Sequence, residues 1–292
     1  MARAKVGELE LEYETFGDRG DPPVLLIMGL AMQLVAWDDR FCAQLAARGF
    51  FVVRFDNRDI GRSTWLDALG MPDLMAAMTG DAAAAKYSLE DMAADALGLL
   101  DALELPRAHL VGASMGGMIA QCAAIRAPAR VASLVSIMSS TGHRRVGRTR
   151  PDIAPLLLTP PPADREEAIE HGVQLWRAIG STGFPFDEAA VRERTARSFD
   201  RGNNPLGVAR QLVAITTARD RTEALGKLDL PAAVVHGEVD PLIDRSGGEA
   251  TAKAIRGARL ILIPGMGHDL PEGIWPTVFD AITDVARRAE QT

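Results

Sequence analysis

The sequence predicts an α/β protein in which a mostly parallel sheet is covered by helices on both faces. Six short apolar or β-branched segments, each bounded by turn residues, have the length and composition of buried strands. Amphipathic segments with helical spacing separate most of them, so strands and helices alternate along the chain. Strands that are apolar on both faces need helices on both sides, which is typical of a parallel sheet. The predicted strands are residues 24–28, 50–55, 108–111, 131–137, 232–236 and 259–263.

Two of the predicted helices carry clear sequence signals. Trp37, Phe41 and Leu45 recur every four residues, as expected for one face of a helix. Ser88 precedes a second helical segment and is followed three residues later by Asp91, which is the pattern of a capping box. Both helices lie between predicted strands, as the α/β class requires.

The region between about residues 141 and 229 departs from the alternation. It holds a basic loop, three consecutive prolines at 160–162 and two amphipathic segments, but nothing with the pattern of a strand. An insertion of this length is more than a plain connection. We therefore expect a helical cap over residues 141–229, covering a core formed by residues 1–140 and 230–292. A run of ordinary peripheral helices is the alternative.

Composition excludes several classes of protein. Of the 292 residues, 47% are hydrophobic and 24% are charged, as in a globular protein with a full core. The net charge of −7 offers no basic surface for nucleic acid, and no segment has the apolar length of a signal peptide or membrane span. We expect a cytoplasmic protein without a nucleic-acid or membrane partner, either monomer or homodimer. Cys42 and Cys122 fall in predicted helices, so neither a disulfide framework nor a thiolate metal site is indicated.

A serine lies between glycines where a predicted strand becomes a predicted helix, in the segment Gly112-Ala-Ser-Met-Gly-Gly117. On such a sharp turn the serine has strained backbone angles and projects its hydroxyl above the edge of the sheet. Gly112 and Gly116 would give the clearance that the crowded neighbouring chains need. The pattern favours Ser114 as a nucleophile, and a serine that caps the helix N-terminus is the alternative.

A serine nucleophile needs a base to remove its proton and a carboxylate to orient that base. Asp240 and His268 each follow one of the last two predicted strands. Because the carboxyl ends of parallel strands share one edge of a sheet, Ser114, Asp240 and His268 are expected to meet there. Asp244 is the alternative acid, although it lies four residues further from its strand.

The four remaining histidines are expected to have structural or surface positions. His109 and His236 lie inside apolar strands, so we expect buried side chains with hydrogen-bond partners in the core. His143 and His171 lie in the insertion and are expected to be solvated.

The chain resembles the α/β-hydrolase family over essentially its whole length, and its order of serine, acid and histidine is that of the family. Within the family it is similar to the aclacinomycin methylesterase group. That group implies hydrolysis of a carboxylic methyl ester on a bulky polyketide, without a cofactor. The stretches that carry the similarity are Met28-Gly-Leu-Ala-Met-Gln, Arg54-Phe-Asp-Asn-Arg-Asp-Ile-Gly-Arg-Ser63, Gly112-Ala-Ser-Met-Gly-Gly117, Gly180-Ser-Thr-Gly-Phe-Pro-Phe-Asp187 and Pro264-Gly-Met-Gly-His268.

The resemblance also implies roles for several backbone and side-chain groups. The amides of Met115 and Leu30 would form an oxyanion hole for the charge that develops on the ester oxygen. Many relatives have His-Gly where this chain has Met28-Gly29, so an apolar chain replaces a polar ring near the acyl group. Asp56, Arg58 and Arg62 match a loop in which ion pairs are structural. The side chains expected to line a substrate pocket, with plain core positions as the alternative, are Met28, Met118, Trp176 and Phe184.

Together these features predict a serine-dependent carboxylic-ester hydrolase that acts through an acyl-enzyme, needs no cofactor or metal, and takes a hydrophobic small-molecule ester. Methyl esters would fit the resemblance. A cofactor-free perhydrolase or haloperoxidase with the same three residues is one alternative. A ligand receptor that keeps the hydrolase scaffold without catalysis is another.

Overall fold

The computed structural model describes residues 1–159 and 161–291, and its centre is one eight-stranded sheet. The strands are β1 (Ala2–Val6), β2 (Leu9–Phe16), β3 (Pro23–Ile27), β4 (Phe51–Phe55), β5 (Ala108–Ala113), β6 (Val131–Ile137), β7 (Ala232–Gly237) and β8 (Arg259–Ile263). Their order across the sheet is β1-β2-β4-β3-β5-β6-β7-β8. Strand β2 is antiparallel to β1 and β4, and all other neighbours are parallel. The predicted α/β class is therefore confirmed.

Helices lie on both faces of this sheet. Alternate residues of β3 point to opposite sides, so that Leu25 and Ile27 join one buried cluster and Val24 and Leu26 join the other. Helices α3 and α4 contribute to the first cluster, and α1 and α11 to the second. The helices are α1 (Asp39–Ala46), α2 (Leu74–Met78), α3 (Leu89–Ala102), α4 (Met115–Arg126), α5 (Ala154–Leu158), α6 (Arg165–Ile179), α7 (Glu188–Arg201), α8 (Pro205–Thr216), α9 (Thr222–Leu225), α10 (Ser246–Ala254) and α11 (Trp275–Glu290).

All six predicted strands are present, and the two helices with sequence signals form as expected. Ser88 and Asp91 make the reciprocal hydrogen bonds of a capping box at the start of α3. Helix α1 begins at Asp39, two residues later than the apolar pattern, because the Asp38 side chain accepts a hydrogen bond from the Arg40 amide and caps it. Cys42 and Cys122 are buried, and burial raises the pKa of their thiols to about 12 and about 11.

Strands β1 and β2 were not predicted, because they alternate charged and apolar residues instead of forming apolar runs. They make an antiparallel hairpin at one edge of the sheet, with a turn at Gly7 that has a φ of +58°. One face of this hairpin packs on the helices, since a Cβ on Gly98 of α3 would lie 2.5 Å from Val6 Cγ1, and the other face is mostly exposed apart from the buried Glu12. Hairpins of this kind expose their other face to water.

The chain between β6 and β7 folds into helices α5 to α9, with no strand in its described residues 138–159 and 161–231. Pro160, the first of the three prolines, lies outside the described residues. Buried ion pairs join these helices to the loop after β4. Arg201 on α7 pairs with Asp56, and Arg210 on α8 makes two hydrogen bonds of 2.8 and 2.7 Å to Asp59. The loop after β4 is thus held by charges from two helices of the insertion.

We expect Arg210→Met to destabilise the protein by about 3 kcal/mol or more, because it leaves the buried Asp59 carboxylate without its cation. Denaturant unfolding measures this loss. Arg165→Met is the matched control, since Arg165 pairs with Asp200 in an exposed position and its loss should change the unfolding midpoint little. Equal effects of the two substitutions would contradict the structural role given to Arg210.

Candidate active site

Ser114 lies on the sharp turn between β5 and α4 that the sequence predicts. Its φ of +56° and ψ of −123° are strained for a residue with a side chain, as expected. The glycines give the predicted clearance: a Cβ on Gly112 would lie 2.1 Å from the carbonyl oxygen of Gly116, and one on Gly116 would lie 2.0 Å from that of Ile27. The turn therefore presents the Ser114 hydroxyl at the carboxyl edge of the sheet.

We expect Gly112→Ala to cost at least about 3 kcal/mol of unfolding free energy, because the new methyl group meets backbone that cannot move aside. Gly20→Ala is the control, because its Cβ would meet only the Asp18 side chain, at 3.3 Å. Thermal and denaturant unfolding of both variants measure the difference. A Gly112→Ala protein as stable as the unmodified chain would show that the turn is not this crowded.

A chain of hydrogen bonds joins Ser114 to two other side chains. His268 Nε2 lies 2.9 Å from Ser114 Oγ, and His268 Nδ1 lies 2.8 Å from Asp240 Oδ2. Asp240 and His268 are both buried and lie in the loops after β7 and β8. The backbone amide of His268 donates to the Ile179 carbonyl at 2.7 Å, so the end of α6 helps to position the histidine. The structure thus brings together the three residues singled out from the sequence.

The two candidate acids have different surroundings. Asp240 Oδ1 accepts hydrogen bonds from the amides of Leu242 and Ile243, which leaves Oδ2 directed at His268. Asp244 instead accepts from the amides of Ser246 and Arg148. Burial opposes ionisation of Asp244, but these hydrogen bonds outweigh it and lower the pKa of its carboxyl. Asp244 therefore ties the loop after β7 to residue 148, and it does not reach the histidine.

The other histidines follow the sequence expectations only in part. His109 is buried and bonded to Ser133, with 2.8 Å between Nδ1 and the hydroxyl oxygen. His236 is also buried, and its Nε2 lies 2.8 Å from the Ile243 carbonyl oxygen. Its Nδ1 has no hydrogen-bond partner in the described part of the chain, so His236 is only half satisfied. Burial lowers the pKa of both imidazoles, to about 4 for His109.

A cavity of about 210 Å³ opens directly onto Ser114 and His268. The core loops and the helices between β6 and β7 both line it. Its walls are mainly apolar and include Met28, Leu30, Trp37, Leu175, Trp176 and Trp275. The loop after β3 approaches Ser114 closely, since a Cβ on Gly29 would lie 3.0 Å from the Ser114 Cβ.

Met28 and Trp176 line this cavity, as the sequence analysis expected, but Met118 and Phe184 do not. Met118 points from α4 into the core cluster that contains α3. Phe184 packs on the other core cluster and lies near Gly273, where a Cβ would be 3.0 Å from the Phe184 ring. Both positions follow from packing that apolar composition alone does not specify.

Two polar groups in the cavity wall were not recognised from the sequence. His171 was expected to be solvated, but it lines the cavity and its Nε2 is buried. Arg194 also lines the cavity, and its Nε is buried. The spacing of His171, Leu175 and Ile179 at four residues places them on one face of α6, which is the signal that was available.

The two residues expected to form an oxyanion hole lie on backbone segments that adjoin Ser114: Met115 follows it directly, and the loop that holds Leu30 approaches it at Gly29. Helix α4 begins at Met115, so its amide is in the first turn and has no acceptor within the helix. Leu30 lies in the loop after β3, and the next amide, that of Ala31, donates to Gln211 on α8 at 3.2 Å. Ala31 has a φ of +62°, and Gln211 is buried and also bonded to the Arg58 carbonyl. A residue of the insertion therefore holds the conformation of this loop.

The ion pairs of the loop after β4 have the structural character that the sequence analysis expected. Arg58 pairs with Asp95 at 2.6 Å, and Arg62 lies 3.8 Å from Glu12. Asp56 pairs with Arg201.

None of the helices described here is long and apolar enough to cross a membrane.

The fold and these motifs define a hydrolase: the chain belongs to the α/β-hydrolase family, whose model, described as the alpha/beta hydrolase fold, matches residues 22–272. The chain is 30% identical to a rhodomycin D methylesterase of a Streptomyces species, over 97% of this chain and 96% of that protein. A 3-oxoadipate enol-lactonase of Acinetobacter baylyi is 23% identical, over 83% of this chain and 80% of that protein.

Solved structures have the same fold. An enol-lactonase from Burkholderia xenovorans superposes with a TM-score of 0.75 and 25% identity, covering 97% of this chain and all of the other. An esterase from Thermogutta terrifontis superposes with a TM-score of 0.72 at 22% identity, covering 99% and 98% of the two chains. The protein is accordingly an enzyme of the esterase and hydrolase type.

Proposed function

We propose that this protein hydrolyses carboxylic esters through an acyl-enzyme formed on Ser114. The observation that carries the proposal is the hydrogen-bond chain from Ser114 through His268 to Asp240, which opens into an apolar cavity. In the first step His268 Nε2 takes the hydroxyl proton while Ser114 Oγ attacks the ester carbon. The same proton then goes to the departing alcohol, and the acyl group stays on Ser114.

Water completes the cycle. His268 removes a proton from a water molecule, the resulting hydroxide attacks the acyl carbon, and the acid leaves as the proton returns to Ser114. Asp240 orients His268 and stabilises its positive charge during both steps. We assign the oxyanion hole to the amides of Met115 and Leu30, which lie on the two backbone segments adjoining Ser114.

We further propose that residues 141–229 act as a cap over a core of residues 1–140 and 230–292. The cap supplies part of the cavity wall through Trp176, while Met28 comes from the core. Such a mainly apolar cavity suits an ester with a hydrophobic acyl group. The similarity to a rhodomycin D methylesterase supports a methyl ester as the reacting group.

An organophosphonate probe tests the acyl-enzyme directly. Mass spectrometry of the treated protein should find one phosphonate on the peptide that contains Ser114, and pre-incubation with a methyl arylalkanoate should slow the labelling. Labelling of a different serine, or hydrolysis that continues in fully labelled protein, would contradict the proposal.

A further inference from the structure

The helical wall of the cavity contains two buried polar atoms that the proposed ester hydrolysis does not use. Arg194 Nε and His171 Nε2 have no hydrogen-bond partner in residues 1–159 and 161–291. Both side chains line the same cavity as Ser114. Buried polar atoms of this kind are costly unless something supplies a hydrogen-bond partner, which for the Arg194 N–H must be an acceptor.

His171 and Arg194 lie beside a close contact between two helices. Helices α6 and α7 nearly touch, since a Cβ on Gly172 would lie 2.7 Å from Thr195 Oγ1. His171 and Arg194 are the residues immediately before this contact on each helix. The Arg194 guanidinium also lies over the Trp176 ring, 5.0 Å from its centroid. A flat aromatic surface therefore positions the guanidinium from one side.

Arg194 is half-buried with a buried Nε, and it differs from the other arginines that reach into the interior. Four of those pair directly with carboxylates, namely Arg54–Glu14, Arg58–Asp95, Arg201–Asp56 and Arg210–Asp59. Arg221, which is also buried, donates instead to the oxygens of Gln121, Arg219 and Ser140. No described carboxylate forms such a pair with Arg194, and burial lowers the pKa of its guanidinium. A guanidinium nevertheless stays protonated in proteins, so its donors remain available to a ligand.

Two aspartates also line the cavity and partly balance this charge. Asp38 is engaged with Arg40 and with the start of α1, and Asp269 accepts a hydrogen bond from the Ser181 hydroxyl. Their negative charge makes the site less favourable for an anionic ligand, while the unpartnered Arg194 N–H still requires an acceptor. An uncharged oxygen can accept a hydrogen bond from Arg194 and adds no negative charge near the two aspartates.

We propose that Arg194 and His171 bind a ketone or phenol oxygen on the acyl part of the substrate, remote from the ester that is cleaved. The inference rests on the proposed function and specifies its substrate class: a hydrophobic acyl group that carries an uncharged acceptor oxygen. The apolar wall holds the hydrocarbon portion, and the two polar side chains select esters in which that oxygen is present.

Matched esters test this selection. The substrates are methyl arylalkanoates whose alkyl chains differ in length. Each is made with one of three groups on the ring: an acetyl group, an isopropenyl group that has the same shape without the oxygen, or a carboxylate. At the best chain length we expect kcat/KM to favour the acetyl ester over the isopropenyl ester by about 10-fold or more. Arg194→Met should reduce that ratio to about 2-fold or less, mainly by raising KM for the acetyl ester.

Three further variants test which side chains set this ratio. His171→Leu should lower the ratio, and Arg194→Lys, which keeps the charge but loses the planar fork, should lower it less than Arg194→Met. Arg197→Met on the same helix should preserve the ratio, because Arg197 is exposed and pairs with Asp39. Arg194→Met should change the unfolding temperature little, since the half-buried guanidinium has no carboxylate partner and a methionine can still pack on Trp176.

The inference is overturned if the ratio is near one at every chain length, if Arg194→Met keeps the ratio, or if the carboxylate ester is preferred. In each of these cases the proposed function would still stand if the isopropenyl ester is hydrolysed and Ser114→Ala abolishes that hydrolysis. If no ester is hydrolysed at all, calorimetry with the intact acetyl-bearing methyl ester still decides: Arg194→Met should weaken its binding by about 10-fold, and equal binding would overturn the inference.

Discussion

Replacing Ser114 with alanine is expected to lower kcat for a methyl arylalkanoate by at least about 10³-fold, because the nucleophile and its base act as one unit. The variant lacks the oxygen that lies 2.9 Å from His268 Nε2, so no acyl-enzyme can form. His268→Ala should cause a loss of similar size, since Ser114 would then have no base.

Steady-state kinetics measure the loss, and circular dichroism with thermal unfolding shows whether the fold is kept. At the positive φ of this turn alanine has the same backbone strain as serine, because both residues carry a Cβ. We therefore expect a folded protein. Ser198→Ala is the control. Among the described residues the Ser198 side chain makes no hydrogen bond, and its backbone carbonyl, which accepts from Gln33 and from the Gly202 amide, is kept, so its activity should be unchanged. Near-normal turnover by a folded Ser114→Ala protein would refute the proposed function.

Asp240→Asn is expected to lower kcat by about 10³- to 10⁴-fold, because an amide cannot hold His268 in the tautomer that accepts the Ser114 proton. It also removes the negative charge that stabilises the imidazolium formed in each step. The substitution keeps the size of the side chain, and its Oδ1 can still accept from the amides of Leu242 and Ile243. The loop should therefore stay in place while the chemistry fails.

Asp244→Asn is the matched control for Asp240→Asn. Asp244 lies in the same loop and was the alternative acid, but its oxygens accept from the amides of Ser246 and Arg148. We expect a lower unfolding temperature and a kcat within about 3-fold of the unmodified enzyme. A crippled Asp244→Asn enzyme beside an active Asp240→Asn enzyme would reverse the assignment of the acid.

The parallel part of the sheet was predictable because its strands are buried on both faces. Burial of that kind leaves continuous apolar runs in the sequence, and β5 and β7 are of this type. The β1–β2 hairpin was missed because it exposes one face to water and alternates charged with apolar residues. A period of two within so short a segment is a weak signal unless it is sought directly.

Ser114, Asp240 and His268 were predictable as candidates because a strand-to-helix turn needs glycines at defined positions, and because strand ends of a parallel sheet converge. Those constraints act over a few residues or follow from topology. Which side chains line the cavity does not follow in this way. Met118 and Phe184 are as apolar as Met28, yet packing turns them into the core.

By itself, the sequence determined the fold class, the strained turn at Ser114 and the positions of Asp240 and His268 at strand ends, since local backbone chemistry and strand burial dictate them. Only the tertiary structure decided that Asp240 and not Asp244 faces the histidine, and that His171 and Arg194 face the cavity. The physical reason is that these outcomes depend on how helices dock and how loops share hydrogen bonds between segments distant in the chain. A local sequence pattern does not show which polar groups become desolvated when those segments pack together.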